Sequence, residues 1–174
     1  MNEVWILNGI PGAGKSTVAR ALAARYVRAV HIEGDRLQEF IISGSVPPGG
    51  QPPEEERRQI HLNVRNQCLL ARSFAQEDFV PVLDYVLASR ARVEEYRKHL
   101  PGFMLRLVTL APGVAVALER DRQRPEKTVA AQWTHLEAQI RTELRELGLW
   151  IDNSALTVAQ TVDHVLSHQE AARV

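Results

Sequence analysis

The chain has 174 residues, 45% hydrophobic and 24% charged, and its 21 basic and 21 acidic side chains leave no formal net charge. That size favours one domain, able to bury roughly 70% of its unfolded surface around a single core. The charge balance excludes the electrostatic footprint of a nucleic-acid or anionic-membrane binder. No apolar run approaches the roughly 18 residues of a membrane span, and the lone Cys68 excludes an intramolecular disulfide. The N-terminus has no basic region and its apolar run stops at Leu7, so a secretory signal is not expected and a cytoplasmic location is.

In chain order, Glu3-Val4-Trp5-Ile6-Leu7-Asn8 reads as a short apolar strand. It runs into Gly9-Ile10-Pro11-Gly12-Ala13-Gly14-Lys15-Ser16, a complete G-x-x-x-x-G-K-[ST] loop. Glycines let successive backbone N–H groups turn inward around phosphate oxygens, a lysine reaches the β and γ oxygens, and the Ser hydroxyl can ligate Mg²⁺. A helix from Lys15 through Thr17 to about Arg25 follows, with Val18, Ala19, Leu22 and Ala23 on one face, so Gly9 to Thr17 are the candidate nucleotide-binding residues. Ala29-Val30-His31-Ile32-Glu33 is a second strand, and Gly34 to about Ser43 is helical in pattern. Residues 44–53 hold four prolines and three glycines and form a loop, either a binding loop or a connector.

Glu54, Glu55 and Glu56 suit the first turn of a long helix that runs to about Gln76. Its apolar stripe is Ile60, Val64, Gln67/Cys68 and Ala71, beside Leu69, Leu70 and Phe74, and Cys68 reads as an inert core thiol. Phe79-Val80-Pro81-Val82-Leu83 is the third strand and ends at Asp84; its proline is expected to mark an edge or bulge. Ser89–His99 is a helix, Phe103–Leu110 the fourth strand, and Val114 to about Arg122 a helix broken at 123–127. Thr128–Leu147 reads as one helix closed by Gly148, Trp150-Ile151 as the fifth strand, and Thr157–Leu166 as the last helix. The alternation predicts an α/β fold with a mainly parallel sheet.

Such sheets bind ligands beyond the carboxyl ends of their strands. The residues falling there are the glycine loop, Glu33-Gly34-Asp35, Asp84, Arg120/Arg122/Arg124 and Asp152-Asn153-Ser154. Phosphoryl transfer needs these parts: a cradle, a Mg²⁺ site, a proton acceptor and cations for the spreading charge. Asp35 is the candidate base, with helix capping as its other role, and Glu33 is a weaker candidate. Ser16 and Asp84 are the candidate metal ligands. Residues i and i+2 of a helix do not share a face, so Arg120 and Arg124 are the better pair for one phosphate. Trp133 and His135 read as a packed ring and a surface side chain. No spacing resembles a structural metal site, and there is no G-x-S-x-G.

These residues resemble the small P-loop kinases of metabolites and nucleotides, chloramphenicol phosphotransferase-like and AAA_33-type. The resemblance rests on Gly9–Ser16, Ile32-Glu33-Gly34-Asp35, the strand ending at Asp84, Glu119–Arg124 and Trp150–Ser154. It implies a P-loop NTPase three-layer sandwich, a five-stranded parallel sheet in order 2-3-1-4-5 with helices on both faces. It implies one kinase-like domain over 1–174, with a substrate-side loop at 44–53 and a short lid at 120–128. ATP and Mg²⁺ would be the cofactors. Asp35 matches the family's acidic base, Arg120 and Arg124 its lid arginines, with Arg120 beside the adenine, and Asn153-Ser154 the loop bordering the base.

The leading expectation is therefore an ATP-dependent phosphotransferase acting on a small-molecule hydroxyl or phosphate acceptor. Lys15, Asp35, Arg120 and Arg124 would be catalytic, with no nucleic-acid or membrane partner. The acceptor would lie under 44–53, where Arg57, Arg58, Arg65 and Arg72 either bind an anion or solvate the helix. The alternative is a nucleotide switch acting through a protein partner, although Asn-Lys-x-Asp is missing. A polynucleotide-end kinase is disfavoured by the zero net charge.

Overall fold

The computed structural model describes residues 3–123 and 130–174. Five strands, β1 (Glu3–Asn8), β2 (Ala29–Glu33), β3 (Val80–Asp84), β4 (Met104–Leu110) and β5 (Leu149–Ile151), form one parallel sheet in the order β2-β3-β1-β4-β5. β1 lies at its centre, with Ile6 opposite Leu83 on one side and Leu107 on the other. A parallel interior strand is covered on both faces, so it reads as a continuous apolar run, and Val4 to Leu7 are fully buried.

The helices are α1 (Lys15–Ala23), α2 (Gly34–Glu39), α3 (Pro53–Gln76), α4 (Arg90–His99), α5 (Val114–Arg122), α6 (His135–Leu144) and α7 (Val158–Ser167). The β1–β2 crossover runs one way along the sheet and the later crossovers run the other. Right-handed connections then put their helices on opposite faces, and α1 packs with α7 while α3 packs with α4. Among the described residues, no helix is long and apolar enough to cross a membrane.

Pro81 departs from its sequence expectation. β3 is an interior strand, second from the edge, and Pro81 is paired opposite Val30. Parallel strands point alternate residues at alternate neighbours. Val80 N–H bonds to Arg28 on the β2 side and Tyr85 N–H to Leu7 on the β1 side, so the missing Pro81 donor would face β1. The β1–β3 register opens only at Trp5 opposite Val82, and the proline stands just outside it.

Three helices also differ. α2 stops at Glu39, because Phe40 and Ile42 find nothing to pack against and are 75% and 91% exposed. The single helix expected over Thr128–Leu147 is a short 3-10 turn at Ala130–Trp133 and then α6; residues 128 and 129 lie outside the described set. In α3, Val64, Cys68 and Ala71 are buried as expected, but Leu69, Leu70 and Phe74 are exposed, and the rest of the buried face is Gln59, Asn63 and Gln67. Asn63 and Gln67 are satisfied in series. Tyr96 Oη donates to Gln67 at 2.7 Å, Gln67 to Asn63 at 2.8 Å, and Asn63 to the Gly34 carbonyl at 2.8 Å.

Burial pushes the Cys68 thiol up to about 12, with the Glu95 charge adding to the effect. Thiolate is then scarce at neutral pH, and a thiol reagent at pH 8 is expected to label Cys68 only after denaturation.

At the N-terminal end of the sheet, Arg106 of β4 is 3% exposed. It donates to Glu3 at 3.0 Å, Glu170 at 3.2 Å and the Gln169 carbonyl, and covers the Trp5 ring at 5.3 Å. Removing one member of a buried ion pair strands the other. Arg106→Met is expected to lower stability by about 3 kcal/mol, read as a lower midpoint in urea with an unchanged slope.

Candidate active site

The glycine loop joins β1 to α1 and turns on positive φ values at Gly9, Gly12 and Gly14. At Gly12 the reason is also steric: a Cβ there would lie 2.1 Å from the carbonyl oxygen of Ala117 in α5. The backbone is wedged against its neighbour, and only hydrogen fits. α1 opens with Gly14 as its N-cap, with no side-chain cap and no acid in its first turn. A helix N-terminus left this way presents its first amides and its dipole to an external anion. Lys15 Nζ donates to the Ile10 carbonyl at 3.3 Å, lying back along the loop.

Arg120, Asn153 and Ser154 come together with this loop. Asn153 Nδ2 donates to the Ala13 carbonyl at 3.1 Å, and Arg120 reaches the same oxygen at 3.5 Å. Arg120 also donates to the Asn153 carbonyl at 2.8 Å and the Ser154 carbonyl at 3.4 Å. Arg122 points elsewhere, to Glu119 at 3.2 Å in solvent, as the helical phase required. Arg124 and most of the 120–128 segment lie outside the described residues. Hydrogen bonds from Ser154, side chain and backbone, hold the exposed Asp152 carboxyl below its ordinary range.

The ends of β2 and β3 supply the carboxylates. Asp84, 4% exposed, is opposite Glu33 in register. Its Oδ2 lies 2.5 Å from His31 Nε2, a partner that the sequence pattern did not reveal. Glu33 is held by Arg20 at 3.2 Å and Arg36 at 3.8 Å. Asp35 is not a cap. Glu33 is the N-cap residue of α2, without a side-chain cap bond, and Asp35 lies in the first turn, exposed.

Residues 44–53 are tied down on both sides. Gln59 of α3 accepts from Val46 N–H at 2.8 Å and donates to the Gly44 carbonyl at 2.7 Å, and Glu56 accepts from Gly49 N–H at 2.6 Å. A Cβ on Gly49 would lie 3.0 Å from the Trp133 ring, so the loop touches the turn before α6. Arg58 is 73% exposed and paired with Glu55, and Arg57, Arg65 and Arg72 are exposed. Gln59, Asn63 and Gln67 face inward instead.

Two features fit a nucleotide. The loop is a cradle that side chains would fill, and Asn153, 3% exposed, keeps Oδ1 without a partner among the described residues. A carbonyl can only accept, so Nδ2 must face Ala13 and Oδ1 is the orphan acceptor; an amino group on a base is its natural donor. Among the described residues no three His, Cys, Asp or Glu converge. Mg²⁺ held with a nucleotide needs only one or two protein oxygens, and Ser16 and Asp84 are of that type.

The sequence profile of AAA_33, described as an AAA domain, matches residues 4–146. The chain belongs to the AAA_33 family. No curated protein sequence matches it. Solved structures similar to this AAA_33 chain share its fold. A sugar kinase from Janibacter sp. HTCC2649 is 19% identical with a TM-score of 0.72, over 99% of this chain and 96% of that one. A tunicamycin resistance protein of Deinococcus radiodurans is 20% identical with a TM-score of 0.68, covering 96% and 95%. A gluconokinase from Sinorhizobium meliloti 1021 is 24% identical with a TM-score of 0.65, covering 95% and 90%. The AAA_33 chain therefore has a P-loop kinase fold.

Gly12→Ala combines the Ala117 clash with a φ of +85°. It is expected to destabilise the protein by about 2 kcal/mol and to abolish nucleotide binding, read by denaturant unfolding and by calorimetric titration with ATP.

Proposed function

We propose that this protein is an ATP-dependent phosphotransferase that moves the γ-phosphoryl group of ATP to a hydroxyl of a small molecule. The observation that carries the reading is the convergence of Arg120 and Asn153 on the Ala13 carbonyl of the glycine loop. That contact supports a nucleotide side there, while Asp84 ends β3 and Asp35 lies in the first turn of α2, just beyond the neighbouring strand β2.

The loop amides and the α1 N-terminus bind the polyphosphate, and Lys15 offsets charge that grows on its oxygens. Arg120 flanks the loop and, with Arg124, neutralises the same charge. Asn153 Oδ1 accepts from the base. Asp35 takes the proton of the attacking hydroxyl as its oxygen bonds to the γ-phosphorus and the bond to the ADP oxygen breaks. Mg²⁺ would supply charge neutralisation at the phosphate oxygens. Ser16 and Asp84 would hold it, with His31 fixing the Asp84 carboxylate from behind, as outer partners of metal ligands do. The zero net charge favours a small acceptor over nucleic acid.

The test is ADP release with Mg²⁺ and a panel of hydroxyl compounds. Lys15→Ala is expected to remain folded and lose acceptor-dependent turnover; an active, folded variant would sink the assignment. Asp35→Asn is expected to bind ATP normally and lose turnover at least about 100-fold. Near-wild-type turnover in that variant would remove Asp35 as the base. ATP loss that responds to a protein partner and to no acceptor would instead indicate a switch.

A further inference from the structure

Tyr85 follows Asp84 directly at the mouth of β3. It is 6% exposed, its ring pressed against the first residue of α2: a Cβ on Gly34 would lie 2.4 Å from Tyr85 Cδ2 and 2.6 Å from Gln67 Nε2. The ring is therefore fixed. Its hydroxyl has no hydrogen-bond partner among the described residues and is not sealed from solvent. Buried tyrosines normally satisfy that group. Tyr96, fully buried nearby, does so through Gln67. Tyr85 instead leaves a donor and acceptor open beside charged residues of α2, α3 and α4.

The charges bearing on that hydroxyl are the carboxylates of Asp35, Glu56 and Glu95 and the guanidinium of Arg92. Arg92 is already neutralised: it pairs with Glu95, and His61 bridges both, 2.7 Å from Glu95 and 3.3 Å from Arg92. Glu56 meanwhile holds Gly49 of the loop above. With Glu95 and Arg92 offsetting each other, the chamber beside Asp35 is net negative through Asp35 and Glu56.

We propose that Tyr85 hydrogen-bonds the acceptor beside Asp35, and that the acceptor is a polyhydroxylated molecule, neutral or cationic, carrying no carboxylate or phosphate. The inference rests on the kinase reading and names its substrate class. A polyol supplies hydroxyl donors for the carboxylates and a partner for Tyr85, and an amine would pair with an acid. An anionic group would enter against Asp35 and Glu56, and Arg92, the cation that bears on Tyr85, is already held by Glu95.

The experiment uses the full chain with Mg²⁺ and ATP. Neutral sugars, amino sugars, polyols and nucleosides are compared with matched aldonates, sugar phosphates and nucleoside monophosphates. ADP release reports turnover, and ATP binding is measured separately by calorimetry. The expected result is turnover within the first set, with kcat/KM at least about 100-fold lower for the matched anions. Tyr85→Phe keeps the ring and removes only an unpaired hydroxyl, so it should fold. It is expected to raise the acceptor KM about tenfold with less than a twofold change in the KM for ATP. Glu95→Gln is expected to narrow the gap between neutral and anionic acceptors. Best turnover with an anion, or an unchanged acceptor KM in Tyr85→Phe, overturns the inference and leaves the kinase reading standing. ATP binding without stimulation by either set overturns both.

Discussion

The backbone of Gly12 runs so close to the Ala117 carbonyl that the smallest side chain would overlap it, at 2.1 Å. That contact joins the glycine loop to α5, and much of the nucleotide side depends on it. Arg120 is one turn beyond Ala117, so seating α5 on the loop also delivers its guanidinium to Ala13 and to the carbonyls of Asn153 and Ser154. The β5–α7 turn is fastened to the same place by Asn153. α5 and the β5–α7 turn are thus both held by one short stretch of backbone more than a hundred residues earlier in the chain. A cradle fixed in this way need not reorganise as charge develops on a phosphoryl group, which is where electrostatic stabilisation gains its size.

The acceptor side is built differently. There the buried face of α3 carries amides where a core helix would carry leucines, and their bonds run from Tyr96 through Gln67 and Asn63 to the Gly34 carbonyl. A buried amide left unpaired costs about 1–3 kcal/mol, so such a series holds α2 in one place only while complete. Gly34 makes the arrangement possible, because any larger residue would strike Tyr85 and Gln67. The network fixes the start of α2, and Asp35 is the next residue. Above it, Gln59 and Glu56 pin the 44–53 loop through its backbone.

The glycine loop was largely legible in the sequence because its constraint falls on the backbone and is written as glycines at fixed spacing. The same holds for Arg120 against Arg122, where helical phase alone separates loop from solvent. The acceptor side was not legible, for three physical reasons. A hydrophobic-stripe reading of α3 counts apolar residues, so it selected Leu69 and Phe74, which are exposed, and passed over Gln59 and Asn63. The His31–Asp84 contact depends on β2 lying beside β3, and only the sheet order supplies that. Pro81 reads as an edge signal because strand rules assume a full ladder on both sides, whereas the β1 ladder begins one residue later. The spacing of Arg58, Arg65 and Arg72 places them on one face of α3 and cannot say which way that face looks.

The zero net charge of the chain conceals a sorting of charge across the site. Lys15 and Arg120 flank the glycine loop, while Asp35, Glu56 and Glu95 surround the mouth of β3 with Arg92 already paired to one of them. Coulomb energies over such distances amount to about 1–4 kcal/mol per charge pair near a surface, enough to order ligands by charge. On the proposed reading, a nucleotide polyphosphate would be drawn to the loop and repelled from the chamber, so it would have one binding pole. An acceptor bearing its own negative charge would meet both the chamber carboxylates and the polyphosphate, and would need a cation of its own. Of the arginines on α3, Arg58 is already held by Glu55. On the kinase reading, the polarity of the site, not its net charge, is therefore what would separate the phosphoryl donor from its acceptor.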